Sequence, residues 1–146
     1  MPHVTINGQD IFYTEAGSGE NVVVFSHGML MDHSMFDAQV QAFENEWRCI
    51  TWDERGHGQT RATADPFTYW DSARDLLALL DHLGVERAVL AGMSQGGFLS
   101  MRAALLAPER VRGLILIDTR SGPEDPAMLP MYDQMIEAWT APGGAP

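Results

Sequence analysis

The sequence predicts an α/β fold, a mostly parallel sheet with an N-terminal antiparallel hairpin and helices on both faces. Three observations predict it. Runs such as Val22-Val-Val-Phe25 and Leu114-Ile-Leu-Ile117 are apolar at every position, the pattern of strands covered on both sides. From residue 21 to residue 118 these runs alternate with segments whose apolar residues recur every three or four positions, the rhythm of parallel strands joined by crossover helices. Before residue 21 the alternation is instead residue by residue.

The elements follow in order. Val4 and Ile6, then Ile11 and Tyr13, flank Asn7-Gly8, a dipeptide suited to the positive φ angles of a tight hairpin turn. Gly17-Ser18-Gly19 breaks that pattern, and residues 21–26 form the first buried strand. After a loop from His27 to His33, Ser34 is expected to cap a helix whose inward side is Phe36, Val40 and Phe43. Residues 48–53 are the next strand, followed by a polar loop to Pro66. Thr68 and Asp71 make a capping-box-like start for a helix that presents Trp70, Ala73, Leu76, Leu77, Leu80 and Leu83 and stops at Gly84. Residues 87–92 are a third buried strand, 95–107 a third helix ended by Pro108, and 112–118 a fourth buried strand.

The segment beyond differs in character. Asp125-Pro126 can open a helix with a greasy face of Met128, Leu129, Met131, Tyr132, Met135, Ile136 and Trp139, with Pro130 kinking or delaying it. Residues 141–146 are linker-like. The chain is therefore expected to divide at about residue 122, with core in 1–122 and the start of a cap or lid plus linker in 123–146.

Composition limits the function. The chain has 146 residues, 45% of them apolar, enough for one core. Its 20 acidic side chains against 9 basic ones, all arginine, give a formal net charge of -11. Phosphate backbones and anionic membrane surfaces both require clustered cations, so neither nucleic acid nor membrane is an expected partner. Cys49, the single cysteine, rules out an intrachain disulfide and reads as a small buried hydrophobe. No secretory n-region with its h-region opens the sequence, and cytoplasm is the expected location.

Chemistry concentrates at Gly92-Met93-Ser94-Gln95-Gly96-Gly97, between the third buried strand and the third helix. A sharp strand-to-helix turn strains its central serine, lifts the hydroxyl above the sheet, and requires small residues two positions away on either side. Here both are glycine, Gly92 and Gly96. The helix that begins there has free N–H groups that favour developing negative charge.

Two further motifs precede this one: His27-Gly28 after the first buried strand, and Asp53-Glu54-Arg55-Gly56-His57-Gly58-Gln59-Thr60 after the second. With the serine turn they resemble, in order, the HG oxyanion loop, the D-x-R-G-H-G-x-S loop and the nucleophile elbow of the α/β-hydrolase superfamily. The likeness spans roughly residues 3–118. It implies that Ser94 is the nucleophile of a serine hydrolase, with the backbone N–H groups of Met29 and Gln95 as its oxyanion hole. It implies structural roles for His27, Gly28, Asp53, Arg55, His57, Gly56 and Gly58. It calls for no metal and no organic cofactor.

The resemblance also exposes a gap. Serine needs a base to take its proton and a carboxylate to orient that base. In this superfamily the order along the chain is Ser, then Asp or Glu, then His. No histidine follows Ser94. Of the five present, His82 is expected to be solvated, and His3 and His33, in the first strand and a loop, are not persuasive bases. Asp118, at the end of the strand after the elbow, is a possible acid or a structural strand-end residue.

Complete members carry eight strands against about six here, which would leave the 114–117 strand as an uncovered apolar edge. The expectation is that residues 1–146 form one piece of a longer or two-chain enzyme, whose complementary fragment or second chain brings the missing strands and the histidine. The expected substrate is a small, partly apolar ester or lactone. Carbon–carbon bond hydrolysis and cofactor-free perhydrolysis stay open on the same scaffold, and so do a non-catalytic binding protein and a structural fragment. Dehalogenation and epoxide opening are disfavoured, since relatives doing that chemistry have Asp where Ser94 stands.

Overall fold

The computed structural model describes residues 2–60 and 65–143. Asn7 and Gly8 both take positive φ, 48° and 78°, and close a hairpin between β1 (His3–Ile6) and β2 (Gln9–Ala16). Both angles positive is the turn whose twist matches that of paired strands. The later half of β2 runs antiparallel to β4 (Trp47–Trp52), with Tyr13 opposite Trp52. From there the sheet is parallel, through β3 (Asn21–Ser26), β5 (Ala88–Met93) and β6 (Val111–Ile117). The strand order is β1-β2-β4-β3-β5-β6.

Alternate side chains of each central strand enter different cores. Val22, Val24, Ile50, Trp52 and Leu90 point to the face covered by α2 (Tyr69–His82) and α3 (Gln95–Leu106), where they meet Leu76, Leu79, Leu80 and Leu99. Val23, Phe25, Cys49 and Ala91 point to the other face and meet Phe36, just before α1 (Asp37–Phe43). Fully covered strands explain why their sequences carry no polar alternation.

Several local expectations hold and several shift. The Thr68–Asp71 capping box is present, and Leu83 to Gly84 ends α2 with a φ of 65° at the glycine. Ser34 is not the cap: Asp32 accepts from the Ser34 N–H and caps a short 3-10 turn over His33–Phe36 that leads into α1. On α1, Phe36 is buried and Val40 packs against the core, while Phe43 is exposed over an apolar hollow that it lines with Val23, Phe25 and Ile115. On α2, Leu79 is fully buried while Trp70 lies half out at the first turn. Strand β6 is an edge, and Leu114, Ile115, Leu116 and Ile117 are each 38–48% exposed. After a 3-10 turn at Pro126–Met128, α4 (Leu129–Thr140) begins with Pro130 in its first turn, where no N–H is needed. The expected linker at 141–146 lies partly outside the described residues. Among the described residues no helix is long and apolar enough to cross a membrane.

One buried ion pair ties the layers together. Arg55, after β4, pairs with the fully buried Asp75 on α2, with Nη2 donating to Oδ1 at 2.9 Å. The Asn7 amide of the hairpin turn donates to the same Oδ1 at 2.9 Å. Asp75 thus joins hairpin, loop and helix. Asp75→Ala, which strands the Arg55 charge, is expected to lower stability by about 3–5 kcal/mol in urea unfolding, and Arg55→Met added to it to recover part of that loss.

Candidate active site

The turn between β5 and α3 is held against strain from both sides. Ser94 has φ 49° and ψ −111°, a conformation rarely adopted by a residue with a side chain. Its N–H donates to the Ile117 carbonyl at 2.9 Å. Its carbonyl accepts from Gly97 N (3.0 Å), Phe98 N (3.1 Å) and the Thr119 hydroxyl (2.8 Å). A Cβ at Gly92 would stand 2.2 Å from the Gly96 carbonyl oxygen, and one at Gly96 would stand 2.0 Å from that of Ser26. The turn closes only because both positions lack a side chain.

Ser94 is half-buried and opens on a cavity of about 630 Å³ at the C-terminal ends of the parallel strands. Met29, Gln95 and Asp118 line it too, so four of the residues singled out in the sequence meet there. A cavity of about 680 Å³ at the opposite strand ends, beside Gly17 to Glu20 and Arg112, lies away from the elbow. In open α/β sheets the C-terminal strand ends are where ligands bind. Gln95 is the first residue of α3, so its N–H has no acceptor within the helix. Met29 follows His27-Gly28, and Leu30 after it takes a φ of 61°, turning the chain at the cavity's rim. The N-terminal end of α3 adds a favourable potential for a negative oxygen.

None of the five histidines lines this cavity. His27 is buried and both ring nitrogens are engaged: Nδ1 with the Gly28 carbonyl (2.8 Å), Nε2 accepting the Glu54 N–H (3.0 Å). Burial lowers its pKa. Its role is to join the loops after β3 and β4. His57 Nδ1 bonds the Arg55 carbonyl at 2.9 Å, and the two imidazoles lie 5.0 Å apart. His82 is exposed, as expected, and lies 3.4 Å from the Tyr13 hydroxyl. His3 and His33 do have carboxylates near them, which chain distance concealed. Asp10 faces His3 across the hairpin at 3.4 Å, and Asp53 meets His33 Nδ1 at 2.9 Å.

The Asp53 loop is a buried tie. Its carboxylate accepts from His33 N (2.6 Å) and Gln59 N (2.7 Å), while its carbonyl accepts the Thr60 hydroxyl (2.6 Å). Gly56 and Gly58 turn the loop at φ 73° and 49°. Asp32, His33 and Asp53 bring possible ligand atoms within 4.8 Å of one another, but these atoms already serve the loop's own hydrogen bonds.

Sequence reading overlooked Glu54. It is 2% exposed, and its Oε2 accepts from the Gln95 side-chain amide at 2.7 Å, directly beside the elbow. The same amide nitrogen lies 3.4 Å from His57 Nε2. Burial pushes the Glu54 carboxyl up to about 7. The neighbouring Ser72 hydroxyl and Arg55 pull the other way, and Asp75 adds to the rise. Ser72 Oγ and Glu54 Oε1 are both buried outside good hydrogen-bonding geometry, so burial prevails. Glu54 stands inside the recognised loop motif, and its signal was an acid immediately after a strand with no exposed face.

The α4 segment forms a wall of the Ser94 cavity through Tyr132, Met135, Ile136 and Trp139. Of its expected apolar face, Tyr132, Met135 and Trp139, spaced three and four apart, are half-buried, while Met128, Leu129 and Met131 remain exposed. Asp118 ends β6 with a φ of 43° and is exposed.

Comparison with known proteins agrees with this architecture. A family model described as alpha/beta hydrolase fold matches residues 21–142. The 3-oxoadipate enol-lactonase 2 of Acinetobacter baylyi is 30% identical over 118 residues, covering 79% of this chain and 44% of the relative. A thermophilic esterase from Thermogutta terrifontis superposes with a TM-score of 0.84 at 30% identity, over 93% of this chain and 52% of the esterase. An enol-lactonase from Burkholderia xenovorans gives 0.82 at 27% identity, over 96% and 60%. The chain spans about half the length of the relatives it matches.

Glu54 makes stability depend on pH. Its folded pKa, about 7, lies above the ordinary 4.5, so between those values the native state keeps a proton that the unfolded state releases. Its contribution to stability is complete below the unfolded value and is lost as pH rises through the folded one. Glu54→Gln keeps an acceptor for Gln95 and removes the titration. Its stability relative to wild type in urea is expected to rise by about 3 kcal/mol between about pH 4 and about pH 8. Parallel pH profiles for the two proteins would contradict a shifted Glu54.

Proposed function

This chain belongs to the α/β hydrolase fold family, and on that premise we propose that it is the nucleophile-bearing part of a serine hydrolase acting on a small ester or lactone. The observation that carries the reading is Ser94 itself, a residue kept at φ 49° on a strand-to-helix turn and opening on a cavity. The relatives' activities, enol-lactone and ester hydrolysis, support the substrate class.

The chemistry runs as follows. Ser94 Oγ attacks the carbonyl carbon while a base takes its proton, and the carbonyl oxygen gains charge between the N–H groups of Gln95 and Met29. On collapse the base returns its proton to the leaving oxygen, the C–O bond breaks, and an acyl-enzyme remains on Ser94. The alcohol departs from an ester and stays tethered to the acyl chain of a lactone. Water, activated by the same base, then releases the acid. Tyr132, Met135 and Trp139 supply an apolar wall, which suits a partly hydrophobic substrate.

The base in this reading is a histidine from polypeptide outside residues 1–146. Two facts support it: residues 95–146 hold no histidine, and none of the five in residues 1–146 lines the Ser94 cavity. The apolar edge at β6 offers a seat for the additional strands that would bring such a histidine. Asp118, on the wall of the same cavity, is a carboxylate this chain offers to orient it, while Glu124 there is paired with Arg120.

A fluorophosphonate probe tests the nucleophile. In the protein carrying the complementary segment, labelling is expected at Ser94 and lost in Ser94→Ala, with ester hydrolysis falling at least about 10⁴-fold. An unlabelled serine there would favour a binding protein that retains the fold. Turnover of an ester by residues 1–146 alone would overturn the external base.

Asp118→Asn separates two sources of the acid. As the triad acid it should cost about 10⁴-fold in kcat. A change within a few-fold assigns the acid to the segment that brings the base.

A further inference from the structure

Met29, Tyr69, Gln95 and Trp139 line two cavities at once. One holds Ser94. The other, about 600 Å³, extends beneath the loop after β4 toward α2 and α3, and Arg102 lies in its wall with Phe67 and Trp70. We infer that this second cavity is a side pocket for a carboxylate-bearing, partly apolar portion of the substrate, with Arg102 as the residue that selects it. The inference rests on the reading that the adjoining cavity is where Ser94 reacts.

Among the described residues, no carboxylate pairs with Arg102. Arg48, Arg55, Arg74, Arg110 and Arg120 each have a carboxylate within ion-pair distance. Arg87, Arg112 and Arg102 have none among the described residues, and of these three only Arg102 is half-buried. Its Nη1 donates to the Phe98 carbonyl at 2.9 Å, and its Nε is buried without an acceptor. A half-buried guanidinium with donors to spare is a strong attractor for an oxyanion.

Its surroundings orient it for that purpose. The guanidinium carbon lies 5.6 Å from the centre of the Tyr69 ring and 5.3 Å from that of Trp70. Rings at that distance attract the guanidinium by cation–π interaction, and the part of the group that lines the cavity is suited to a flat, two-oxygen acceptor. A carboxylate has that shape. Trp139 and Phe67 supply apolar surface for the carbon skeleton that carries it.

Among the described residues, the other ionisable groups on the cavity are Glu54, His57 and Tyr69. Glu54 would oppose an anion, but Gln95 donates to its Oε2 and burial holds its proton until about pH 7. A single cationic side chain beside a partly neutral acid suits a monoanion better than a dianion.

Two of the four tryptophans, Trp70 and Trp139, line the cavity, so binding can be read from intrinsic fluorescence without turnover. The probe is 3-phenylpropionate, with 3-phenylpropionamide as its neutral isostere, titrated into Ser94→Ala protein. Saturable quenching is expected, with the acid binding at least about tenfold more tightly than the amide. Arg102→Met should remove that preference and leave amide binding unchanged, and Arg102→Lys should keep part of it. Arg120→Gln, at a cation in the Ser94 cavity already paired with Glu124, should leave it intact. Equal binding of acid and amide overturns the inference, and so does loss of the preference in Arg120→Gln rather than Arg102→Met. The acid-to-amide ratio in protein with Arg102 intact needs no folding assumption about the variants. Because Ser94 is absent throughout, failure here is distinct from failure of the serine chemistry.

Discussion

Backbone packs directly on backbone where β3, β5 and α3 converge, and the rest of the site depends on that contact. Gly96 lies so close to the Ser26 carbonyl, and Gly92 to Gly96, that neither position has room for one more carbon. This approach draws the first turn of α3 down onto the end of β3 and forces Ser94 between them into positive φ. Its unfavourable conformation is held by hydrogen bonds from its N–H to β6 and from Thr119 to its carbonyl. A hydroxyl on a relaxed turn would move with the loop. On this one it is fixed relative to the helix N-terminus and to the loop that carries Met29.

Support for that loop comes from buried polar groups that answer one another. His27 spans from the Gly28 carbonyl to the Glu54 N–H. Asp53 gathers backbone N–H groups from His33 and Gln59. Arg55 reaches Asp75 on α2, and Asp75 in turn holds Asn7 of the hairpin. Loops rich in backbone polar groups stay buried only if those groups are paired, and here residues of one short motif supply the partners. Glu54 is the exception, a carboxyl with one oxygen on Gln95 and the other unanswered. Its proton therefore stays until about pH 7. It stands one hydrogen bond from the residue beside Ser94.

The cavities reflect this division. Residues from the elbow, the HG loop and α4 meet over Ser94, and the same Gln95 and Trp139 continue into the space beside Arg102. Five arginines elsewhere, Arg48, Arg55, Arg74, Arg110 and Arg120, are matched by acids. Arg102 is matched by aromatic rings instead.

The sequence by itself determined the order and type of the elements, the elbow at Ser94 and the apolar edge of β6. Each rests on local chemistry: the period of apolar residues, turn dipeptides, and glycines two positions from a serine. A short-range error, Ser34 for Asp32 as the cap, arose where one hydrogen bond decides the outcome. Only the tertiary structure decided which distant side chains meet. His33 with Asp53, Glu54 with Gln95, and Arg102 with Tyr69 and Trp70 are separated by 20, 41 and about 30 residues, and no pattern read along the chain reports such pairs. Their contacts, and the burial that shifts Glu54, are consequences of how the layers pack, which the periodicity of each element leaves open.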